Sequence, residues 1–246
     1  MTSSAPLITA RDLTIGWGGV PLLRDLEFEV ARGGRFAILG GSGCGKSTLL
    51  RHLIGLDAPI AGSIVVEGRP AGPHVDEPPP FGVLFQSGAL FGSMTLLDNV
   101  ALPLRKWTDL PAEAVDTLAF ARLRLVGLGG YEHHLPAEVS GGMKKRAGIA
   151  RALALEPDLL FLDEPSAGLD PVTSAELDDL LITLNENLGV TVVLVTHELA
   201  SIFDMVQDCI LLDRDAQGIV ARGDPRALRD DSDDPRVLRF FHRRLH

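Results

Sequence analysis

The sequence predicts an α/β fold with a parallel-sheet core, and three observations carry that prediction. A glycine-rich stretch, Gly40 to Thr48, lies between a short apolar run and a helical pattern. Further apolar runs, Leu159-Leu-Phe-Leu162 and Val190 to Val195, have the length and composition of strands buried on both faces. Both runs lead into polar residues, Asp163-Glu164 and Thr196-His197, at the carboxyl edge where open parallel sheets bind ligands.

Composition sets the bounds. A chain of 246 residues can bury a sizeable core. Its 46% hydrophobic and 23% charged content is ordinary for a globular protein. A net charge of −10 argues against a general nucleic-acid binder, so no nucleic-acid partner is expected. Cys44 and Cys209 do not resemble a disulfide framework, which fits a reducing compartment. Met1 to Pro6 has neither the basic start nor the apolar stretch of a secretory leader. No apolar run approaches the ~20 residues of a spanning helix, so any membrane role is expected to come through a partner.

Residues 6 to 39 read as β-rich. Leu26, Phe28 and Val30 alternate with Asp25, Glu27 and Glu29, the pattern of a half-buried strand. Trp17 falls in Gly16-Trp-Gly-Gly19, which reads as a loop between strands. It reads equally as a plate that stacks on a base and as a loop tryptophan resting on the sheet. Arg35 to Leu39 is a short buried strand. Gly40, Gly45, Lys46 and Ser47 then fit G-x-x-x-x-G-K-[ST]. Glycines 41, 43 and 45 let the backbone curl so that N–H groups face an anion. Lys46 adds charge for the β- and γ-phosphates, and the Ser47 hydroxyl suits Mg²⁺. Leu49, Leu50, Leu53 and Ile54 recur at helical spacing, so a helix N-terminus faces the phosphates.

Ile64 to Val66 reads as a strand. Ala71 to Gly82, with Pro78, Pro79 and Pro80, reads as a loop. Gly82 to Gln86 is a short strand ending on Gln86, which suits either a metal or water contact above the sheet or a solvated loop. Leu97 to Val126 is expected to be largely helical, with Pro111 in a first turn and Gly127 as a stop. Trp107, His133 and His134 read as structural or surface residues. Val139 to Arg146 is the second informative stretch. Ser140 is a good N-cap. Gly141 and Gly142 in a first turn cost roughly 1 kcal/mol each relative to alanine, which makes sense where something approaches the backbone closely. The stretch is either an anion site or a plain serine cap. Lys144, Lys145 and Arg146 read as a solvated face.

Two carboxylates at the end of a strand divide naturally in a phosphate-binding chain. Asp163 can hold Mg²⁺, and Glu164 can orient or deprotonate water. Asp170 and Pro171 start a helix, Leu177, Leu180, Leu181, Leu184 and Leu188 give it an apolar stripe, and Gly189 ends it. The next strand is expected to bring Thr196 and His197 to the same edge as Asp163 and Glu164, where His197 suits a γ-phosphate sensor. Cys209 to Leu212 and Gly218 to Ala221 read as a hairpin. Pro235 to His246 reads as an amphipathic helix, with Val237, Phe241 and Leu245 beside Arg236, Arg239, Arg243 and Arg244. That pattern suggests docking, with a second subunit as one candidate.

Phosphate loop, Gln86, Ser140-Gly-Gly142, strand–Asp163-Glu164, Leu169-Asp-Pro171 and His197 follow one another in an order that resembles the ATPase subunit of ATP-binding cassette (ABC) transporters. The resemblance covers nearly the whole chain, and Ser-Gly-Gly is its most specific motif. It implies a P-loop NTPase (RecA-like) parallel-sheet core, an N-terminal antiparallel β region and an inserted α-helical subdomain. The cassette would run over 6–225 with the helical subdomain at approximately 88–157, followed by a tail at 226–246. It implies ATP held by Gly40, Gly41, Ser42, Gly43, Cys44, Gly45, Lys46, Ser47 and Thr48, with Trp17 stacked on the base. Mg²⁺ would be held by Ser47, Gln86 and Asp163. Glu164 becomes the catalytic base, Gln86 the Q-loop residue, His197 the switch histidine and Ser166 to Asp170 the D-loop.

A narrower resemblance to the Mla/Mce-type lipid-transport ATPases rests on Leu84 to Phe91, Asp98-Asn-Val-Ala101, Met143 and Asp234-Pro-Arg-Val237. Val139 stands where leucine is usual, and the segment before Gln86 is proline-rich where a basic run is usual. The implied partners are integral-membrane permease subunits, an Mce-type lipid-binding subunit and a small STAS-domain regulatory subunit. The implied place is the cytoplasmic face of the inner membrane, held there through partners. Ser140, Gly141 and Gly142 are expected to close on ATP bound to a second copy, giving a head-to-tail dimer with two shared sites. A small-solute importer ATPase and a soluble, non-transport cassette protein are the alternatives.

Overall fold

The computed structural model describes residues 5–73 and 76–242. They form two compact units: the first joins the two ends of the chain, up to residue 73 and from 191, and the second spans 76–190.

The first unit opens with β1 (Ile8–Trp17) and β2 (Val20–Val30), an antiparallel pair. Leu26, Phe28 and Val30 are buried, as their alternation predicts. Trp17 is the last residue of β1 and pairs with Val20, and Gly16 pairs with Pro21. The connection is therefore only Gly18-Gly19, and the longer loop expected at 16–19 is corrected. Then come β3 (Arg35–Gly40), α1 (Lys46–Leu53), β4 (Ala61–Val66) and β5 (Arg69–Pro70). β2, β1, β4 and β5 lie in that order as one antiparallel sheet.

The second unit contains β6 (Gly82–Leu84), α2 (Leu96–Trp107), α3 (Ala112–Leu125), α4 (Gly141–Ala152), β7 (Leu159–Asp163) and α5 (Pro171–Leu188). β6 and β7 are parallel, with Leu84 opposite Leu162. β6 stops at Leu84, so Gln86 lies in the following turn and not on the strand. The helical span expected over 97–126 is two helices. Thr108 is extended at the end of α2, and Pro111 caps α3 from outside its first turn. A proline disfavours helical backbone in the residue before it, which accounts for the break. In α5 the apolar stripe is shorter than the leucine spacing suggests. Leu177, Leu181 and Leu184 are buried, but Leu188 is 52% exposed. Asn185 takes the buried place on the last turn, donating to Val190 O at 2.8 Å.

Asn99 organises the chain after β6. It is fully buried on α2, accepts from Phe91 N at 2.7 Å, and donates to Phe91 O, Met94 O and Thr95 O at 2.9–3.2 Å. Removing that amide takes the partner from Phe91 N and the side-chain donor from Met94 O, while Phe91 O and Thr95 O keep main-chain bonds from Met94 N and Asn99 N. Asn99→Leu is expected to cost about 2–4 kcal/mol. Urea unfolding measures this, and a loss below about 0.5 kcal/mol, the range of neutral surface changes, would show that Asn99 is dispensable.

The chain returns to the first unit with β8 (Thr191–Thr196), α6 (Leu199–Met205), β9 (Asp208–Asp213), β10 (Gly218–Gly223), α7 (Pro225–Asp231) and α8 (Pro235–His242). β8 and β9 flank β3, both parallel to it, and β10 closes the edge against β9 as the expected hairpin. The terminal stripe is already occupied. Val237 and Phe241 are buried, and the Phe241 ring lies 5.8 Å from that of Phe203 on α6. These two residues dock on their own unit, so their docking onto a second subunit is corrected. Arg243, Arg244 and Leu245 lie outside the described residues. Among the described residues no helix is long and apolar enough to cross a membrane.

Candidate phosphate and catalytic site

In the first unit the glycine-rich stretch is a loop between β3 and α1. Gly40, Gly43 and Gly45 take positive φ (150°, 74° and 104°), so the curl involves Gly40 in place of the expected Gly41. Gly41, Ser42 and Gly43 are exposed at the crest, Ser47 is exposed at the start of α1, and Thr48 is buried beneath. Lys46 is 8% exposed, and its Nζ donates to Gly40 O at 2.9 Å and Gly41 O at 3.1 Å. An ammonium has three donors, so one is left beyond these two bonds. Cys44 is buried under the loop. Burial pushes its thiol above the usual range although the Lys46 charge opposes this. It is a packing residue and not a nucleophile. Burial likewise raises Cys209, to about 12.

Strand register places His197 beside this loop. Thr196 pairs with Leu39 across β8 and β3, so His197, which is exposed, leaves the sheet level with Gly40. Trp17 is 52% exposed, with the Arg51 guanidinium 5.4 Å from its ring centre. Arg51 belongs to α1 and is tied to Asp57 through Nε at 2.6 Å. A half-exposed indole therefore borders the helix that carries the phosphate loop.

In the second unit, Gln86 and Glu164 leave the same edge of the β6–β7 pair. Leu84 lies opposite Leu162, and both residues follow two positions on. Asp163 is the last residue of β7. Glu164 is 8% exposed and takes φ +46°, the left-handed region that a residue with a side chain rarely adopts. Gln86 is exposed. Lys145 was expected on a solvated face. It is instead 6% exposed, and it donates to Gln86 O at 2.5 Å and Glu164 O at 3.0 Å. Arg146 also turns inward, to Val126 O at 3.3 Å and Glu176 at 3.2 Å. A run of three cations looks alike in sequence, and only the packing of α4 distinguishes its members.

Ser140 caps α4 as predicted, accepting from Met143 N at 3.2 Å, and Gly141 beside it is exposed. Gly142 has a packing reason of its own. A Cβ there would lie 2.5 Å from Thr173 Cγ2 of α5, so the close neighbour of this glycine is the chain itself. Thr173 is held in turn by Asp170, which caps α5 through Val172 N and Thr173 N, both at 3.1 Å. The Thr173 hydroxyl on Asp170 holds that carboxyl below its usual range. Trp107, His133 and His134 fit their expected structural or surface roles. Lys106 Nζ sits 4.4 Å from the Trp107 ring centre, the His134 ring lies tilted 5.2 Å from that of Tyr131, and His133 is exposed.

A phosphate-binding strand–loop–helix and a strand ending in paired carboxylates define a nucleotide-hydrolysing α/β protein. The ABC transporter family matches residues 23–167, more than half of the chain. The chain is 42% identical to the Escherichia coli (strain K12) intermembrane phospholipid transport system ATP-binding protein MlaF, over 97% of this chain and 90% of that one. It is 40% identical to the probable ribonucleotide transport ATP-binding protein mkl of Mycobacterium leprae, over 96% of this chain and 69% of that one. A solved dimeric post-hydrolysis state of the ATP-binding cassette MJ0796, bound to ADP and Pi, aligns with a TM-score of 0.78 at 29% identity, covering 88% of this chain and 98% of that one. The chain belongs to the ABC transporter family and is an ATPase of that family.

Proposed function

We propose that this chain hydrolyses ATP to drive a bacterial transporter that moves phospholipid or another lipid across the cell envelope. The observation that carries the lipid assignment is the 42% identity to MlaF along almost the full length of both chains. The segments Leu84 to Phe91 and Asp98 to Ala101 add a physical link, because Asn99 braces the loop that begins there. A second reading, transport of a small solute such as a ribonucleotide, is favoured by the 40% identity to mkl.

The residues take the following roles in this proposal. Gly40, Gly41, Ser42, Gly43, Cys44, Gly45 and Thr48 form the cradle for ATP, with Lys46 on its β- and γ-phosphates and Trp17 against its base. Ser47, Asp163 and Gln86 hold Mg²⁺. Their oxygen donors suit that ion, which needs only one or two carboxylates beside phosphates and water. When bound, Mg²⁺ neutralises phosphate charge. Glu164 accepts a proton from the attacking water, Gln86 orients that water, and His197 senses the γ-phosphate. Ser140, Gly141 and Gly142 engage ATP held by a second copy, with the D-loop, Ser166 to Asp170, beside them. The two copies pair head to tail, and the solved dimer of MJ0796 supports a dimer of cassettes. ATP favours the closed dimer because only that state uses both halves of each site, and hydrolysis releases it.

The cassette spans 6–225, with a helical subdomain near 88–157 and a tail from 226. The dimer works at the cytoplasmic face of the inner membrane, held there by permease subunits, with an Mce-type lipid-binding subunit and a STAS-domain subunit as further partners. Affinity capture of the tagged chain from detergent-solubilised membranes, with lipid analysis of the captured complex, tests this. A multi-spanning permease with an Mce-type protein and phospholipid is the expected result. A permease with a soluble-solute binding protein would replace the lipid reading with the small-solute one. Capture of no membrane protein would overturn transport in favour of a soluble cassette protein.

A further inference from the structure

We propose that Lys145 is a positioning residue for hydrolysis, holding the main chain of Gln86 and Glu164 together from α4. The proposal rests on Glu164 being the catalytic base. One buried ammonium donates to the carbonyl of each residue, at 2.5 Å and 3.0 Å. A buried cation is costly unless its donors are used, so a lysine here signals that those two carbonyls need it. The approach of α4 that allows this reach is itself built in. A Cβ at Gly148, one turn along from Lys145, would lie 2.5 Å from Leu84 Cδ1 of β6 and 3.3 Å from Gly88 O. The same helix sends Arg151 to Gly88 O at 3.0 Å and Ala89 O at 2.7 Å. Three carbonyls in the turn carrying Gln86 thus accept from cations of α4, and Lys145 alone of these two extends the clamp to Glu164.

Backbone strain shows what the clamp does. Glu164 holds φ +46°, a conformation that persists for a residue with a side chain only where its surroundings enforce it. Its carbonyl accepts from Lys145 Nζ and from Ala167 N at 3.2 Å. Loss of the ammonium removes the charged donor from that carbonyl and lets Glu164 relax toward ordinary φ. Its carboxylate then leaves the position set for the attacking water, and small misplacements of a reacting group cost large factors in rate. The contacts assigned to the phosphate loop lie in the other unit, and the Ser140 cap on Met143 N at the start of α4 does not involve Lys145. The effect therefore falls chiefly on kcat.

The test measures steady-state hydrolysis by the purified full-length chain carrying Lys145→Met, Lys145→Arg or Glu164→Gln, with kcat expressed per nucleotide-binding site titrated with a non-hydrolysable ATP analogue. Lys145→Met is expected to lower kcat by about tenfold or more and to leave KM within about twofold. Lys145→Arg, which keeps charged donors, is expected to recover most of that loss. If Lys145→Met does not fold, Lys145→Gln takes its place, with the same loss expected from its single weaker donor group. A native kcat per titrated site in the Met or Gln variant, or equal losses in the Arg and Met variants, overturns the role of Lys145. Hydrolysis surviving in Glu164→Gln overturns the assignment of the base instead, so the two failures are distinguishable.

Discussion

Glu164→Gln is expected to bind ATP as the native chain does and to lose hydrolysis by roughly 10²-fold or more. The amide has nearly the shape of the carboxylate and cannot take a proton from water at neutral pH. The substitution therefore removes the chemistry and little else. The surroundings favour a clean result. Glu164 is 8% exposed, and its main chain is anchored by Lys145 and Ala167, bonds that glutamine retains. Phosphate release under saturating ATP, beside equilibrium binding of a fluorescent ATP analogue, measures the two properties separately. Near-native turnover in this variant would remove Glu164 from the role of base. Lost binding together with lost turnover would show that the carboxylate supports nucleotide binding, and the division of labour with Asp163 would have to be redrawn.

What was legible in the sequence was local. The phosphate loop is nine consecutive residues running from the last residue of a strand into the first turn of a helix, and its chemistry depends on their order. The caps at Ser140 and Asp170 are equally local, because each hydroxyl or carboxylate reaches N–H groups two or three residues on. What failed depended on tertiary packing. Lys144, Lys145 and Arg146 look equivalent along a helix, yet α4 lies so close to β6 at Gly148 that Lys145 is drawn inside. Leu188 continues a heptad-like spacing but lies on the final turn of α5, where Asn185 is better placed to close on Val190. Val237 and Phe241 form a real apolar stripe, and its partner is Phe203 of the same chain, roughly 40 residues earlier. Hydrophobic periodicity says that a face is covered and does not name the cover. The left-handed backbone at Glu164 had no signal of its own, because glycine is the usual marker of such a position and a glutamate stands there.

Lys46→Met is expected to weaken ATP binding by about 10- to 100-fold while leaving the fold intact. Charge-assisted hydrogen bonds contribute about 1.5–3 kcal/mol each, and every 1.4 kcal/mol is tenfold in affinity. Methionine preserves the aliphatic stem that lies buried at the start of α1, so packing changes little. The ammonium does two jobs in this loop. It bonds Gly40 O and Gly41 O, pinning the entry to the curl, and it keeps one donor for the phosphates. The two jobs separate by ligand. Loss of charge alone weakens ATP and ADP but leaves AMP within about threefold, since AMP lacks the β- and γ-phosphates and a threefold change is under 1 kcal/mol. Loss of loop order weakens all three, because the backbone N–H groups that face any phosphate would no longer converge. Titration calorimetry with the three nucleotides reads the pattern directly, and circular dichroism checks the fold. The contacts to Gly40 and Gly41 predict a mixed result, a large loss for ATP and ADP beside a smaller, measurable one for AMP. Native affinity for ATP in this variant would mean that Lys46 serves only to shape the loop, and that the phosphates are held by backbone N–H groups alone.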